Sequence, residues 1–263
     1  MPTDFETTTI AFDEETGVGY LTLNRPDALN ALSSQLREDI VAGLRELNEY
    51  NDDGVVMRTV VVEGAGGNFC AGADITEFEE GPPTTEVDRS HYRFIREYPL
   101  PVIAKIRGYC LGGGLETAMS CDFRIADTDA RFGLPEVDLG IIPGAGGVQF
   151  ISRLANPSVA KEIAMTGEHL PAERGAELGI FNDVHAPDEL DAAVDEFAET
   201  IASKPPLSVR TIKKSATMAT QTGLREGIEY DADVFETLLW TDDHKEGVRA
   251  FAEDDYEPEF QGK

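Results

Sequence analysis

Basic side chains are scarce in this sequence. Its 263 residues carry 22 Lys+Arg, only 7 of them Lys, against 50 Asp+Glu, for a formal net charge of −28. So negative a chain repels polyanions, which argues against nucleic acid and anionic membrane surfaces as partners. Cysteine is sparse too. Cys70, Cys110 and Cys121 are odd in number and lack metal-ligand spacing, which predicts free thiols in a reducing cytoplasm rather than a disulfide framework. Long apolar runs are missing. The longest apolar stretch, Pro99 to Cys121, is interrupted by Lys105, Arg107 and Glu116, and nothing approaches the roughly 18 residues of a membrane helix. Met1-Pro2-Thr3-Asp4-Phe5-Glu6 has neither the basic nor the apolar region of a secretory leader. The four histidines, His91, His169, His185 and His244, are scattered, so neither a metal cluster nor a Ser/His/Asp order stands out.

Apolar residues are not scarce. At 41% hydrophobic and 8% aromatic the chain has the means for a packed core, unlike acidic disordered chains. The surplus acid then has two readings: a solvated surface adapted to a salty cytoplasm, or a patch that recruits a cationic partner. The acids are spread along the whole chain, which favours salt adaptation. Screening at about 1 M salt, where the Debye length is about 3 Å, relieves most of the self-repulsion.

Thr7 to Phe12 and Val18 to Leu23 read as two strands joined by the turn Asp13-Glu14-Glu15-Thr16-Gly17. Leu36, Ile40, Leu44 and Leu47 fall at helical spacing within Ser33 to Asn48. Thr59 to Glu63, Pro101 to Ile106 and Phe123 to Ala126 read as buried strands, and the alternation up to about residue 200 predicts an α/β fold. Thr84 to Ser90 is polar and predicts a mobile surface segment. The composition changes at Lys204-Pro205-Pro206. This divides the chain into an α/β part, 1–203, and a helical part, 204–263, with helices at Ser208 to Thr220, Leu224 to Leu239 and Asp243 to Ala252. Ile228, Val234, Phe235, Leu238 and Leu239 exceed what one helix needs for its own packing, so this region either packs on the main domain or forms an oligomer interface.

Three glycine-rich turns carry the chemical signal: Cys70-Ala71-Gly72-Ala73-Asp74, Leu111-Gly112-Gly113-Gly114-Leu115-Glu116 and Pro143-Gly144-Ala145-Gly146-Gly147. Each is expected at a strand-to-helix transition. Glycine allows a close backbone approach, and a helix start presents free N–H groups and a positive dipole end. No P-loop Gly-Lys-Ser/Thr follows, and the spaced glycines of a dinucleotide fold are absent, so no nucleotide cofactor is expected. Glu116 and Glu136 stand beside these turns, with the strand at Phe123 to Ala126 between them, enough to return both to one end of a sheet. Spacing alone leaves them equally readable as two surface glutamates of an acid-rich chain; brought together, Glu136 in its apolar run would have a raised pKa and the pair could exchange protons with water.

Five segments, in order, resemble one family. They are Asn24-Arg25-Pro26 with Asn30-Ala31-Leu32, Phe69 to Ile75, Gly108 to Glu116, Phe132-Gly133-Leu134-Pro135-Glu136, and Gly140 to Gly147. Together they look like the crotonase (enoyl-CoA hydratase/isomerase) family from about residue 7 to the C-terminus. The resemblance implies a crotonase-like spiral of ββα units followed by a helical C-terminal trimerisation region, as a homotrimer or a dimer of trimers. It implies an acyl-CoA substrate whose thioester oxygen sits between the amides of Ala73 and Gly113, and no cofactor or metal, CoA being part of the substrate. Glutamates at both Glu116 and Glu136 favour hydration of a 2-enoyl-CoA, or the reverse dehydration. By that similarity Glu116 would deprotonate the water, Glu136 would protonate the α-carbon, and the Gly144 amide would help hold the water. Ala71, Asp74, Ile75, Arg25 and Phe235 would bind substrate. The acyl pocket would be lined by the Phe78 to Phe94 region and parts of the C-terminal helices. The departures fall at the CoA phosphates, where Asp27, Thr76 and Asp254 replace the family's usual lysines, leaving Arg25 and dissolved cations to compensate. An isomerase, a hydratase or dehydratase of a branched or functionalised thioester, and a non-catalytic binding member are the alternatives.

Overall fold

The computed structural model describes residues 3–51, 55–78, 90–253 and 255–263. Along the chain, β1 (Thr3–Asp4), β2 (Thr8–Asp13) and β3 (Val18–Leu23) precede α1 (Ser34–Glu49) and β4 (Thr59–Gly64). Next come α2 (Ser90–Glu97), β5 (Val102–Ile106), β6 (Tyr109–Leu111), α3 (Gly113–Ser120), β7 (Phe123–Asp127) and β8 (Arg131–Gly133). These are followed by α4 (Gly147–Leu154), α5 (Pro157–Thr166), β9 (Leu170–Pro171), α6 (Ala172–Glu177), β10 (Asp183–His185) and α7 (Leu190–Ala202). The chain ends in α8 (Pro206–Met218), α9 (Leu224–Leu238) and α10 (Asp242–Ala252).

A seven-stranded sheet in the order β1-β2-β3-β4-β5-β7-β10 forms the frame, and a small sheet β6-β8-β9 stands beside it. The hairpin of β2 and β3 closes through the expected Asp13–Gly17 turn: the Gly17 N–H donates to the Asp13 carbonyl at 2.9 Å, with Gly17 at φ 73°. From β3 onward the pairing in the large sheet is parallel. The Val60-Val61-Val62 run of β4 is wholly buried, as a parallel strand covered on both faces must be.

The period of two splits those valines between two cores. Val60 and Val62 face the larger core with Leu36, Ile40, Leu44 and Leu47 of α1. Val61 and Ile103 face the other side, where Leu190, Val194 and Ala198 of α7 close over them. Ser33 caps α1, its hydroxyl accepting the Leu36 N–H at 3.2 Å. Each of the four α1 leucine and isoleucine side chains is fully buried, worth about 1.5–3 kcal/mol apiece against exposure. All three cysteines are buried free thiols, and burial pushes Cys70 up to about 12.

The C-terminal helices match their expected positions within two residues, but α9 has no buried residue. Ile228, Phe235, Leu239, Trp240 and Phe251 are exposed there. Of the predicted segment Thr84 to Ser90, only Ser90, the first residue of α2, lies within the described residues, as does part of the Phe78 to Phe94 region. Asp254 lies outside them.

Candidate active site

The site is built where β6 runs into α3. Gly112 adopts φ 50°, ψ −124°, a conformation open to glycine, and its N–H donates to the Gly133 carbonyl at 2.9 Å. The next two glycines let this corner close on the Cys70–Asp74 turn. A Cβ on Gly114 would stand 2.2 Å from the Cys70 carbonyl oxygen, and one on Gly113 would stand 3.6 Å from the Ala73 nitrogen. Ala73 itself is held against Leu32: the Leu32 N–H donates to Gly72 at 2.8 Å, and the Asp74 N–H donates to Leu32 at 3.2 Å. Neither the Ala73 nor the Gly113 N–H donates to an acceptor among the described residues. Gly113 is also the first residue of α3, where the helix dipole favours negative charge.

Glu116 lies one turn into α3 and is only 3% exposed. Its Oε1 accepts two backbone N–H groups, from Ala145 at 2.7 Å and from Gly147 at 2.8 Å. The third glycine turn therefore wraps around this carboxylate. Gly144 is exposed and precedes Ala145, and its amide donates to no acceptor among the described residues.

Glu136 arrives from the other side, on the 3-10 helix Pro135–Leu139. Its carboxyl group rests against Gly112, and Oε2 is buried without a hydrogen-bond partner. Burial pushes this carboxyl up to about 7; its own backbone amide opposes the shift and the charge of Glu116 adds to it. The two glutamates are near enough for the charge of one to act on the other, and they are treated oppositely. Glu116 is gripped by two amides, while Glu136 is desolvated with Oε2 lacking a partner among the described residues.

One expectation needs correcting. Of the three glycine turns only the middle one joins a strand to a regular α-helix. The first follows an isolated bridge between Cys70 and Cys110 and leads into the 3-10 helix Ile75–Phe78. The third connects the 3-10 helix bearing Glu136 to α4. The first is held by single backbone bridges to β6 and to Leu32, and the third by the Glu116 carboxylate, so glycine content alone does not predict their flanks.

The residues expected to bind substrate divide into two groups. Arg25 donates to Asp74 at 2.9 Å and to the Ala31 carbonyl, which uses two of its five N–H groups. Asp74 also accepts the Thr76 hydroxyl at 2.7 Å, and these bonds, Thr76 first and then Arg25, hold its carboxyl below the ordinary value. The Ala71 N–H is used by the Leu29 carbonyl at 3.0 Å, while Ile75 is exposed beside it. Phe235 is 62% exposed on α9, and no contact brings it to the glutamates within this chain. A cavity of about 810 Å³ opens behind Ala145 and Gly146, walled by Met119, Phe150 and Ile212 among others, so α8 does line space that reaches the third turn. Among the described residues no cluster of His, Cys, Asp and Glu could hold a metal ion.

The sequence places Ala145 and Gly147 in the third glycine turn and Tyr92 within the Phe78 to Phe94 region, but assigns none of the three a role of its own. Ala145 and Gly147 act through backbone N–H groups, which leave no side-chain signature. Tyr92 is buried on α2 with its hydroxyl next to Gly113. An aromatic at helical spacing looks the same in sequence whether it fills a core or lines a site.

A mainly parallel sheet thus carries two glutamates, Glu116 and Glu136, beside glycine-rich turns. The model of the enoyl-CoA hydratase/isomerase family matches residues 13–263, and the chain belongs to that family. It is 38% identical over 256 residues to the short-chain-enoyl-CoA hydratase of Clostridium acetobutylicum, covering 94% of this chain and 96% of that protein. It is 37% identical to the crotonyl-CoA hydratase of Syntrophomonas wolfei, over 93% and 95% of the two chains. The solved enoyl-CoA hydratase of Bacillus anthracis superposes with a TM-score of 0.88 at 35% identity, covering 100% of this chain and 99% of that one.

Proposed function

We propose that this protein hydrates a 2-enoyl-CoA thioester to the 3-hydroxyacyl-CoA, or catalyses the reverse dehydration. What supports the reading is the nearness of two carboxyls. Glu116 is gripped by the third turn, and Glu136 is set against Gly112 and raised further by the charge of Glu116, with the Ala73 and Gly113 backbone alongside. Adding water across the conjugated double bond moves negative charge onto the thioester oxygen. Two N–H donors, Gly113 at the start of α3 and Ala73 in the adjacent turn, can stabilise that charge without titrating, and one such donor is typically worth about 10²–10³ in rate.

The carboxylates divide the proton work. Glu116 accepts Ala145 and Gly147 at Oε1, which fixes the carboxylate in place, and a fixed carboxylate is suited to take the proton of a water that attacks the β-carbon. Glu136, with a proton affinity near neutrality, supplies a proton to the α-carbon and is reset by exchange. The free amide of Gly144 is one residue from the Glu116 grip and supports a third contact to that water. Ala71, Asp74 and Ile75 would border the thioester, with no metal or cofactor taking part.

The exposed apolar residues of α9 and α10 support assembly into a trimer or a pair of trimers, which would bring Phe235 to a neighbouring copy's substrate. The helical part, 204–263, would then serve assembly, and 1–203 catalysis.

Mixing the protein with crotonyl-CoA tests the reading: the conjugated enoyl absorbance should fall. Glu116→Gln and Glu136→Gln should each remove this activity. A wild-type protein inert toward a panel of 2-enoyl-CoAs, or one that only moves the double bond of 3-enoyl-CoAs, would refute hydration.

A further inference from the structure

We propose that the Tyr92 hydroxyl is a third hydrogen-bond donor to the thioester oxygen, beside the amides of Ala73 and Gly113; this rests on the acyl-CoA reading above. The argument begins from space. The point a Cβ on Gly113 would occupy is 2.9 Å from Tyr92 Oη, 3.1 Å from a methyl carbon of Leu32 and 3.6 Å from the Ala73 nitrogen. A phenol, an amide and the start of α3 therefore converge on one face of Gly113, with Leu32 closing the side.

The hydroxyl is also under-used. Its acceptor within the protein is the Gly113 carbonyl at 3.4 Å, long for an O–H···O bond. That carbonyl already accepts the Thr117 hydroxyl at 2.9 Å. A proton so loosely held can turn to a better acceptor, and a developing enolate oxygen is one. Tyr92 is 8% exposed, and the His91 ring lies 3.7 Å from its own, so the ring is fixed in place. Burial first, then the charges of Glu116, Cys70 and Glu136, push the phenol well above its ordinary value. It stays a neutral donor throughout the working range, and no proton leaves it: the phenol gives a hydrogen bond that strengthens as the oxygen becomes charged.

Tyr92→Phe keeps the ring and removes only the hydroxyl. The test measures three quantities on the wild type and this variant: crotonyl-CoA turnover, affinity for acetoacetyl-CoA read by its enolate absorbance, and affinity for saturated butyryl-CoA. The proposal expects enolate affinity and kcat to fall about 10- to 100-fold, somewhat less than for a backbone oxyanion donor, while butyryl-CoA affinity stays within about twofold. Enolate affinity unchanged, or falling in step with butyryl-CoA affinity, overturns it, since packing alone would do the same. The two readings fail separately. A wild type that does not hydrate crotonyl-CoA but holds the enolate in a Tyr92-dependent way sinks hydration and keeps the donor. An active wild type matched by Tyr92→Phe sinks the donor alone, and a wild type that binds no acyl-CoA sinks both.

Discussion

The carboxyl group of Glu136 lies against the bare Cα of Gly112, so that a Cβ there would stand 3.0 Å from Oε1. Gly112 is doubly constrained, because its φ of 50° with ψ of −124° is hostile to any side chain. Gly112→Ala should cost about 1–3 kcal/mol of stability from backbone strain. It should also push Glu136 off its perch, so the loss of enoyl-CoA hydration should exceed what the melting temperature explains. Full activity in a destabilised Gly112→Ala protein would mean that the position of this carboxyl does not matter.

Glu136 should also leave a mark on stability against pH. Its folded value of about 7 lies above the ordinary 4.5, so the folded state holds the proton more tightly than the unfolded chain. Between those values the unfolded chain ionises first, and stability falls as pH rises from about 4.5 to about 7. At 1.36 kcal/mol per unit the full penalty would be about 3 kcal/mol; partial solvent access reduces it to about 1–2 kcal/mol. Glu136→Gln removes the penalty and should stabilise the protein at pH 8 but not at pH 4, in denaturant titrations at each pH. Hydration in the wild type should decline above about pH 7 as the proton donor is lost. Glu116→Gln, by removing a nearby charge, should lower the pH at which the Glu136 proton is lost, as read by the carboxyl signal in a titration.

Glu116 has the opposite character, because it satisfies two backbone donors. Glu116→Ala strands the N–H groups of Ala145 and Gly147; at about 1–3 kcal/mol for a buried donor, and less for the part-buried Ala145 N–H, the loss should reach about 2–4 kcal/mol. Glu116→Gln retains an acceptor oxygen and should cost under about 1 kcal/mol. Both should abolish hydration. Equal stability of the two variants in denaturant titrations would show that the grip of the third turn contributes nothing.

These differences explain what the sequence could convey. The Asp13–Gly17 hairpin, the Leu36-Ile40-Leu44-Leu47 stripe and the C-terminal helices are local patterns, written in turn residues and in periods of 2 and 3.6. Gly112 to Glu116 was legible through its place in an ordered set of five motifs, since a glycine turn alone reads as plain chain reversal. The small sheet was not legible: its strands are three residues or fewer, too short for any period to show. The role of Arg25 was also hidden. Its guanidinium pairs with Asp74, a partner 49 residues away that no local pattern announces. Phe235 was singled out by resemblance alone, and one chain leaves it exposed.

The pairing of Arg25 with Asp74 sharpens the question of how a protein of net charge −28 captures a substrate that carries phosphates. Thr76 occupies one of the family's lysine places and bonds to Asp74, and Asp27 occupies another. Surface repulsion and poor phosphate attraction are both relieved by dissolved cations, since the Debye length falls from about 10 Å at 0.1 M to about 3 Å at 1 M salt. Buried pairs respond less. Lys213, with its side chain only 9% exposed, meets Asp122 at 2.7 Å and ties α8 to the main sheet, and such a contact should survive molar salt. Melting temperature should therefore rise from low to molar KCl, and the KM for crotonyl-CoA should fall over the same range. Most attractions between a protein and a phosphate weaken with salt, so the sign of the KM change is the discriminating result. A KM that rises with KCl would mean that side chains of this chain or of a neighbouring copy, not cations in solution, hold the phosphates. A melting temperature that stays flat would remove salt adaptation as the reason for the acid surface and leave a cationic partner as its explanation.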